Sequence, residues 1–199
     1  MTADRPRPAH SAGDAHEAAS LAIDELDVIA PGAFGARVAP LFEGARGFLG
    51  RLAVARPFGT IEAMFDQARA IAHAMPVEEQ VELVDAHPRL GADPAAVSTL
   101  SFVEQGYATG ALQAPHASDA ERARVAAELD RLNAEYEARF GFRYCVFVAG
   151  RSRAELLPGM TAALDADREV ELHRALDAVV DIARARYATL TGAPPEGDR

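Results

Sequence analysis

Apolar residues recur at every third or fourth position through most of the chain between residues 14 and 191, which is the period of amphipathic α-helices. The clearest stripe follows Thr60 and consists of Ile61, Met64, Phe65, Ala68, Ile71, Ala72 and Met75. A second long stripe, between about Asp167 and Leu190, consists of Leu172, Leu176, Val179, Val180, Ala183 and Tyr187. The pattern predicts an all-α fold, a single-domain helical bundle of about eight helices.

Helix-start signals stand before several of these stripes. Thr60 has the hydroxyl expected of an N-cap, and Ser118 followed by Glu121 has the spacing of a capping box. Ser101 and Glu104 have the same Ser-x-x-Glu spacing, so we expect a helix to begin there too.

The segment Tyr144–Ala149 departs from the helical pattern because it is β-branched and aromatic. No partner strand is visible elsewhere, so the sequence favours a short extended segment or a buried helix turn. Cys145, the only cysteine, lies within it, which excludes an internal disulfide and a Cys-x-x-Cys zinc site. Its apolar neighbours favour a buried structural thiol over a reactive one.

Length and composition fit one globular domain. The chain has 199 residues, and we expect a flexible leader over residues 1–13, a helical domain over 14–191 and a frayed tail over 192–199.

The net charge of −10 argues against nucleic acid and against anionic membranes as partners. No apolar run is long enough for a signal peptide or a membrane span, which predicts a cytoplasmic protein.

His87 is the first candidate for chemistry, since Gly-rich phosphate loops, HExxH pairs and GxSxG elbows are all missing from the sequence. It stands where a helix is expected to end, before Pro88 and Gly91. A histidine held there could move a proton near neutral pH. The alternative is a histidine that only caps the carbonyl groups at the helix end.

Glu104 and Gln105 form the second candidate. A carboxylate beside an amide suits a ligand with urea-like N–H groups and carbonyls. The alternative is that Glu104 is only part of a capping box with Ser101.

The order of short motifs resembles one family. These motifs are Arg56-Pro57-Phe58, the loop His87-Pro88-Arg89-Leu90-Gly91, Ser101-Phe102-Val103-Glu104-Gln105, Leu132-Asn133-x-x-Tyr136, Phe140-Gly141-Phe142 and a final long helix. Over about residues 20 to 190 the chain resembles the 2-oxo-4-hydroxy-4-carboxy-5-ureidoimidazoline (OHCU) decarboxylases. Their usual HPDLA sequence is replaced here by a form similar to the HPRIG variant of some bacterial members.

The resemblance implies an all-α lyase, usually a homodimer, that needs neither a metal nor an organic cofactor. It would decarboxylate a small-molecule substrate, OHCU, to (S)-allantoin in urate degradation, a part of purine metabolism. By the same resemblance His87 is the proton donor, and Glu104 holds the hydroxyl or ureido N–H groups. The implied substrate-binding residues are Pro88, Ser101, Phe102, Val103, Gln105, Cys145, Val146, Phe147, Val148 and Arg151.

One stretch departs from the family pattern. Members usually carry Arg-Leu-x-Asn near the start of the last helix, where this chain has alanine at both Ala163 and Ala166. The arginines considered as replacements are Arg89, Arg151, Arg153 and Arg168. Two alternatives therefore stay open: a divergent member that acts on a related heterocycle or ureido acid, and a non-catalytic helical binding protein.

Overall fold

The computed structural model describes residues 21–107 and 118–192, and this part of the chain contains nine α-helices, two short 3₁₀-helices and no strand. The α-helices are α1 (Ile23–Val28), α2 (Pro31–Val38), α3 (Arg46–Val54), α4 (Ile61–Ala74), α5 (Val77–Asp85), α6 (Thr99–Glu104), α7 (Asp119–Phe140), α8 (Arg153–Ala163) and α9 (Arg168–Thr191). The 3₁₀-helices are Ala39–Phe42 and Pro94–Ala96. The all-α prediction is confirmed.

The predicted leader, residues 1–13, lies outside the described residues, as does the predicted tail apart from Gly192, which ends α9. None of the described helices is both long enough and apolar enough to cross a lipid bilayer.

Helix α9 is the central element of the bundle. It packs against α4, α5 and the 3₁₀-helix Ala39–Phe42. The predicted stripe forms its buried face, except that Tyr187 is only partly buried; the buried apolar residues are Leu172, Ala175, Leu176, Ala178, Val179, Val180, Ile182 and Ala183. Each large aliphatic side chain in such a core contributes about 1.5–3 kcal/mol, so this face anchors α9 firmly against its neighbours.

Two of the three predicted helix starts are confirmed. Thr60 accepts a hydrogen bond from the backbone N–H of Ala63, and Ser118 accepts one from that of Glu121. The third is wrong, because Ser98 caps α6 and its hydroxyl accepts from the N–H of Ser101. Glu104 therefore ends α6 instead of lying in its first turn.

The segment Tyr144–Ala149 has no regular secondary structure and forms no strand, in agreement with the expected extended segment. A buried cluster on α9 and α7 holds it in place. Arg174 Nη2 donates to the carbonyl of Cys145 at 3.0 Å. The carboxylate of Glu171, itself buried, accepts from Arg174 and from the hydroxyl of Tyr136 at 2.6 Å.

The loop after α5 packs against α7 at Gly91. Gly91 has φ of +83°, and a Cβ atom at this position would lie 2.7 Å from Leu129 Cδ2. Left-handed backbone favours glycine, and here a side chain would also collide with the core.

We expect Gly91→Ala to lower the free energy of unfolding by about 2–4 kcal/mol, because it combines the left-handed penalty with overpacking. Gly59→Ala is the matched control, since Gly59 has φ of +77° and open space around the site of a Cβ. The control should cost only about 1–2 kcal/mol. Urea unfolding measures the free energy of unfolding of both variants. Equal losses of stability in the two variants would contradict the close approach of this loop to α7.

Candidate active site

A cavity of about 300 Å³ lies between the loop after α5, helix α6, the segment Tyr144–Gly150 and the last part of α9. This volume is at the small end of the range for ligand cavities, so it suits a compact molecule. The structure brings most of the predicted site residues together around it: His87, Pro88, Ser101, Val103, Glu104, Gln105, Cys145, Val146, Phe147 and Val148 all line the cavity.

His87 is held at the end of α5 by contacts on both sides. The residue is 4% exposed, and Nδ1 lies 3.3 Å from the carbonyl oxygen of Leu83. Arg143 fixes the backbone beneath it by donating from Nη1 to the carbonyls of Asp85 and His87, at 2.8 and 3.0 Å. The ring is therefore presented to the cavity by a rigid helix end.

The His87 imidazole is neutral at physiological pH. Burial, together with the nearby Arg186 guanidinium, lowers its pKa to about 4 although Glu43 opposes the shift. A carbonyl oxygen can only accept, so Nδ1 carries the proton and Nε2 carries a free lone pair. Nε2 is buried and has no hydrogen-bond partner among the described residues. The group that sequence reasoning expected as a donor is thus an acceptor in the free protein.

Glu104 is held by Arg186, which projects from α9. Arg186 Nε and Nη2 donate to the two carboxylate oxygens of Glu104, each at 2.7 Å. The arginine side chain is 1% exposed, and its Nη1 donates to the carbonyl of Pro40 at 2.9 Å. Burial raises the pKa of Glu104 above its ordinary value, although Arg186 opposes that shift.

Arg186 is the residue that sequence reasoning missed. A signal for it was present, because Arg186 continues the apolar stripe of α9 three residues after Ala183 and seven after Val179. A charged residue on a buried helix face must find partners, which marks it as a candidate for a site.

The four arginines proposed from the sequence do not line the described cavity, because other groups hold them. Arg89 pairs with Glu137, and Arg168 donates to the carbonyl of Phe140. Arg151 donates to the carbonyls of Phe147 and Val148, so it supports the cavity wall from behind. Arg153 lies over the Tyr107 ring.

Ala163 and Ala166 likewise lie outside the residues that line the described cavity. They stand at the end of α8 and in the following turn, where Arg139 donates to the carbonyl of Ala166.

Three other predicted binding residues have side chains that are already engaged. Phe102 does not line the cavity and stacks on Tyr107 with ring centroids 5.4 Å apart. The Ser101 hydroxyl accepts from Arg186 and donates to Glu43. The Gln105 amide accepts from the N–H of Gly91 at 2.9 Å and donates to the carbonyl of Arg89 at 3.2 Å, so it clamps the loop.

The remaining wall offers backbone groups. The N–H groups from Tyr144 to Ala149 donate no hydrogen bond to any residue that the structure describes. Unpaired N–H groups beside a cavity are donors for ligand carbonyl or carboxylate oxygens. The Cys145 thiol is buried here, and burial raises its pKa to about 12, which agrees with the predicted structural thiol.

No group of three or more histidine, cysteine, aspartate or glutamate side chains within residues 21–107 and 118–192 is arranged to hold a metal ion. The polar groups that line the described cavity include the neutral imidazole of His87, the Glu104 carboxylate, the Arg186 guanidinium that holds this carboxylate, and the backbone of the wall.

Comparison with known proteins places the chain among enzymes of one type. The family model described as OHCU decarboxylase matches residues 29–188. The 2-oxo-4-hydroxy-4-carboxy-5-ureidoimidazoline decarboxylase of Mus musculus is 30% identical over 138 residues, which are 69% of this chain and 75% of that protein.

The uric acid degradation bifunctional protein PucL of Bacillus subtilis (strain 168) is 28% identical over 150 residues. The match covers 75% of this chain but only 28% of PucL, so this chain corresponds to about a quarter of that relative. A crystal structure of OHCU decarboxylase in the presence of (S)-allantoin shares the fold, with a TM-score of 0.58 and 24% identity, over 77% of this chain and 96% of that one.

The depressed pKa of His87 predicts how stability depends on pH. The unfolded chain takes up a proton at its ordinary pKa of 6.5, while the folded chain does so only near 4. Stability is therefore fully present above 6.5 and is lost as the pH falls from 6.5 towards 4.

Between about pH 7 and about pH 5 we expect His87 to account for a loss of about 2 kcal/mol in the free energy of unfolding. His87→Gln removes the titrating group, so its stability should fall less over the same interval. Urea unfolding at the two pH values measures the difference between the variant and the wild type. Parallel losses in the two proteins would contradict a buried, neutral His87.

Proposed function

We propose, since the chain belongs to the OHCU decarboxylase family, that it converts OHCU to (S)-allantoin and carbon dioxide in urate degradation. The observation that carries the proposal is the pairing, in one small cavity, of an unpartnered His87 Nε2 with the arginine-bound carboxylate of Glu104. This pair suits a substrate that must lose a carboxylate and move a proton within one ring.

The reaction breaks one carbon–carbon bond and requires three proton transfers. The bond to the carboxylate carbon breaks, and its electron pair forms a double bond to the ring carbon that bears the ureido group. The electrons of the ring imine move to its nitrogen, which takes one proton from the medium. The hydroxyl proton must then leave and the ureido-bearing carbon must gain one, so that the ring carbonyl of allantoin forms.

His87 is suited to that last exchange. As a neutral imidazole it can accept the hydroxyl proton on Nε2, and the imidazolium so formed can return a proton to the ureido-bearing carbon. Because His87 reaches the substrate from one wall only, delivery to a single face would set the handedness of the product. The family resemblance implied that His87 is a proton donor. In this scheme His87 donates a proton only after it has accepted one from the substrate.

Glu104 and the cavity wall would orient the substrate. The Glu104 carboxylate accepts from the ureido N–H groups, and the backbone N–H groups between Tyr144 and Ala149 donate to ring or ureido oxygens. With both Glu104 and Glu43 ionised, their cluster with Arg186 carries one net negative charge. Such a charge disfavours a bound carboxylate and so favours its departure as neutral carbon dioxide.

The family resemblance implied a homodimer, and the lack of a long apolar run predicted a cytoplasmic protein; we propose both for this chain. Light scattering on the purified protein tests the dimer, and a monomer at micromolar concentration would contradict it. Fractionation of cells of the source organism tests the location, and recovery of the protein in membrane or extracellular fractions would contradict it.

Substrate generated in situ from urate by the two preceding enzymes tests the activity, with the circular dichroism of allantoin as the readout. We expect His87→Ala to lower the catalysed rate by about 100- to 10,000-fold and Glu104→Gln to lower it at least about tenfold. The matched control is Glu79→Gln, because Glu79 pairs with Arg51 on the surface in the same bidentate way.

A wild-type protein that does not exceed the spontaneous decay of the substrate would overturn the proposed function. Full activity of the His87→Ala variant would overturn the role of His87. In contrast, the Glu79→Gln control should keep the wild-type rate.

A further inference from the structure

Glu43 lies behind the site, in a strained part of the backbone. It follows the 3₁₀-helix Ala39–Phe42 and has φ of +50°, with Gly44 next to it at +74°. A residue with a side chain rarely adopts this left-handed conformation. Where one does, the surrounding contacts must hold it there, and such positions cluster at functional sites.

One oxygen of the Glu43 carboxylate accepts three hydrogen bonds. Oε1 accepts from the hydroxyls of Ser98 and Ser101, at 2.8 and 2.6 Å, and from Arg186 Nη2 at 2.7 Å. The side chain is 12% exposed, and Glu43 is not among the residues that line the described cavity. Its carboxylate therefore acts on the site only through the groups it holds.

Arg186 is consequently fixed from three sides. Its Nε and Nη2 donate to the Glu104 carboxylate, and its Nη1 donates to the carbonyl of Pro40. Nη2 also donates to the Glu43 carboxylate. A guanidinium is planar, so these bonds together determine how the plane is turned. The orientation of that plane in turn determines where the two oxygens of Glu104 lie.

We propose that Glu43 is a positioning residue of this site, which locks the Arg186 guanidinium in the orientation that presents Glu104 to the cavity. The inference rests on the proposed function, because it assigns Glu43 to the same reaction. Stability alone explains the arrangement poorly, since a buried cluster of three charges is often no more stable than an apolar replacement. Glu43 adds a strained backbone to that cost.

Kinetics of Glu43→Ala form the first part of the test. We expect kcat to fall about 10- to 100-fold with KM changed by no more than about threefold, because the substrate still binds while Glu104 is misplaced. Glu43→Gln keeps an oxygen acceptor for the three donors, so it should recover most of the lost rate. Glu79→Ala, which removes an equivalent arginine partner from the surface, should keep wild-type kinetics.

The second part needs no substrate. The Nε–H of Arg186 is buried and bonded to Glu104, so its proton exchanges slowly with water and is followed by nitrogen-15 NMR. In Glu43→Ala we expect this exchange to be at least about tenfold faster and the resonance to shift. In Glu79→Ala and Glu43→Gln both the exchange rate and the resonance position should stay close to those of the wild type.

The outcomes separate the two proposals. An Arg186 signal unchanged by Glu43→Ala, or a kcat within about twofold of the wild type, would overturn the role of Glu43. A wild-type protein without activity would overturn the proposed function, and the Arg186 signal alone would then decide whether Glu43 positions it. If Glu43→Ala does not fold, Glu43→Asp replaces it in both measurements. The aspartate side chain is one methylene shorter, so its carboxylate lies further from Arg186 and we expect the same fall in kcat and the same faster exchange.

Discussion

The burial of the Arg186 guanidinium is the constraint on which the rest of the site depends. A cation that is 1% exposed must be paired with anions and have its N–H groups satisfied. Its partners come from two parts of the chain that lie far apart in sequence, the turn at Pro40–Glu43 and the helix α6. Pairing them around one residue of α9 brings the three segments together beside the cavity, so the electrostatics of a single side chain help to shape this part of the fold.

Burial, reinforced by the same positive charge, keeps the His87 imidazole neutral. Burial and the positive charge of Arg186 both act against an imidazolium at His87, and the opposing effect of Glu43 does not restore it. The bond from Nδ1 to the carbonyl of Leu83 then leaves the lone pair on Nε2. A neutral imidazole in this state can accept a proton from a bound ligand. Arg186 thus binds Glu104 and also contributes to the low pKa of His87.

Periodicity predicted the helical class, and the family resemblance carried by short motifs implied most of the cavity wall, because both can be read from local sequence. The sequence predicted Thr60 and Ser118 as caps for the same reason. It misplaced Ser101, since the Ser-x-x-Glu spacing fits a capping box as well as it fits a buried serine bonded to Glu43. Arg186 and Glu43 are 143 residues apart, and only the packing of α9 on the turn after Phe42 joins them. The pKa of His87 depends on that packing too, so no motif could have given it.

Helix α9 also explains how two walls of the cavity keep a fixed distance. Near its start, Arg174, which is paired with Glu171, donates to the carbonyl of Cys145 and so holds the extended segment whose N–H groups are unpaired within the part of the chain that the structure describes. Near its end, Arg186 holds Glu104. Arg174 and Arg186 are twelve residues apart in sequence, which is about 18 Å along a helix. Because one rigid, buried helix carries both arginines, a shift of α9 would move the donors and the carboxylate together, so their separation is set by the helix and not by either wall.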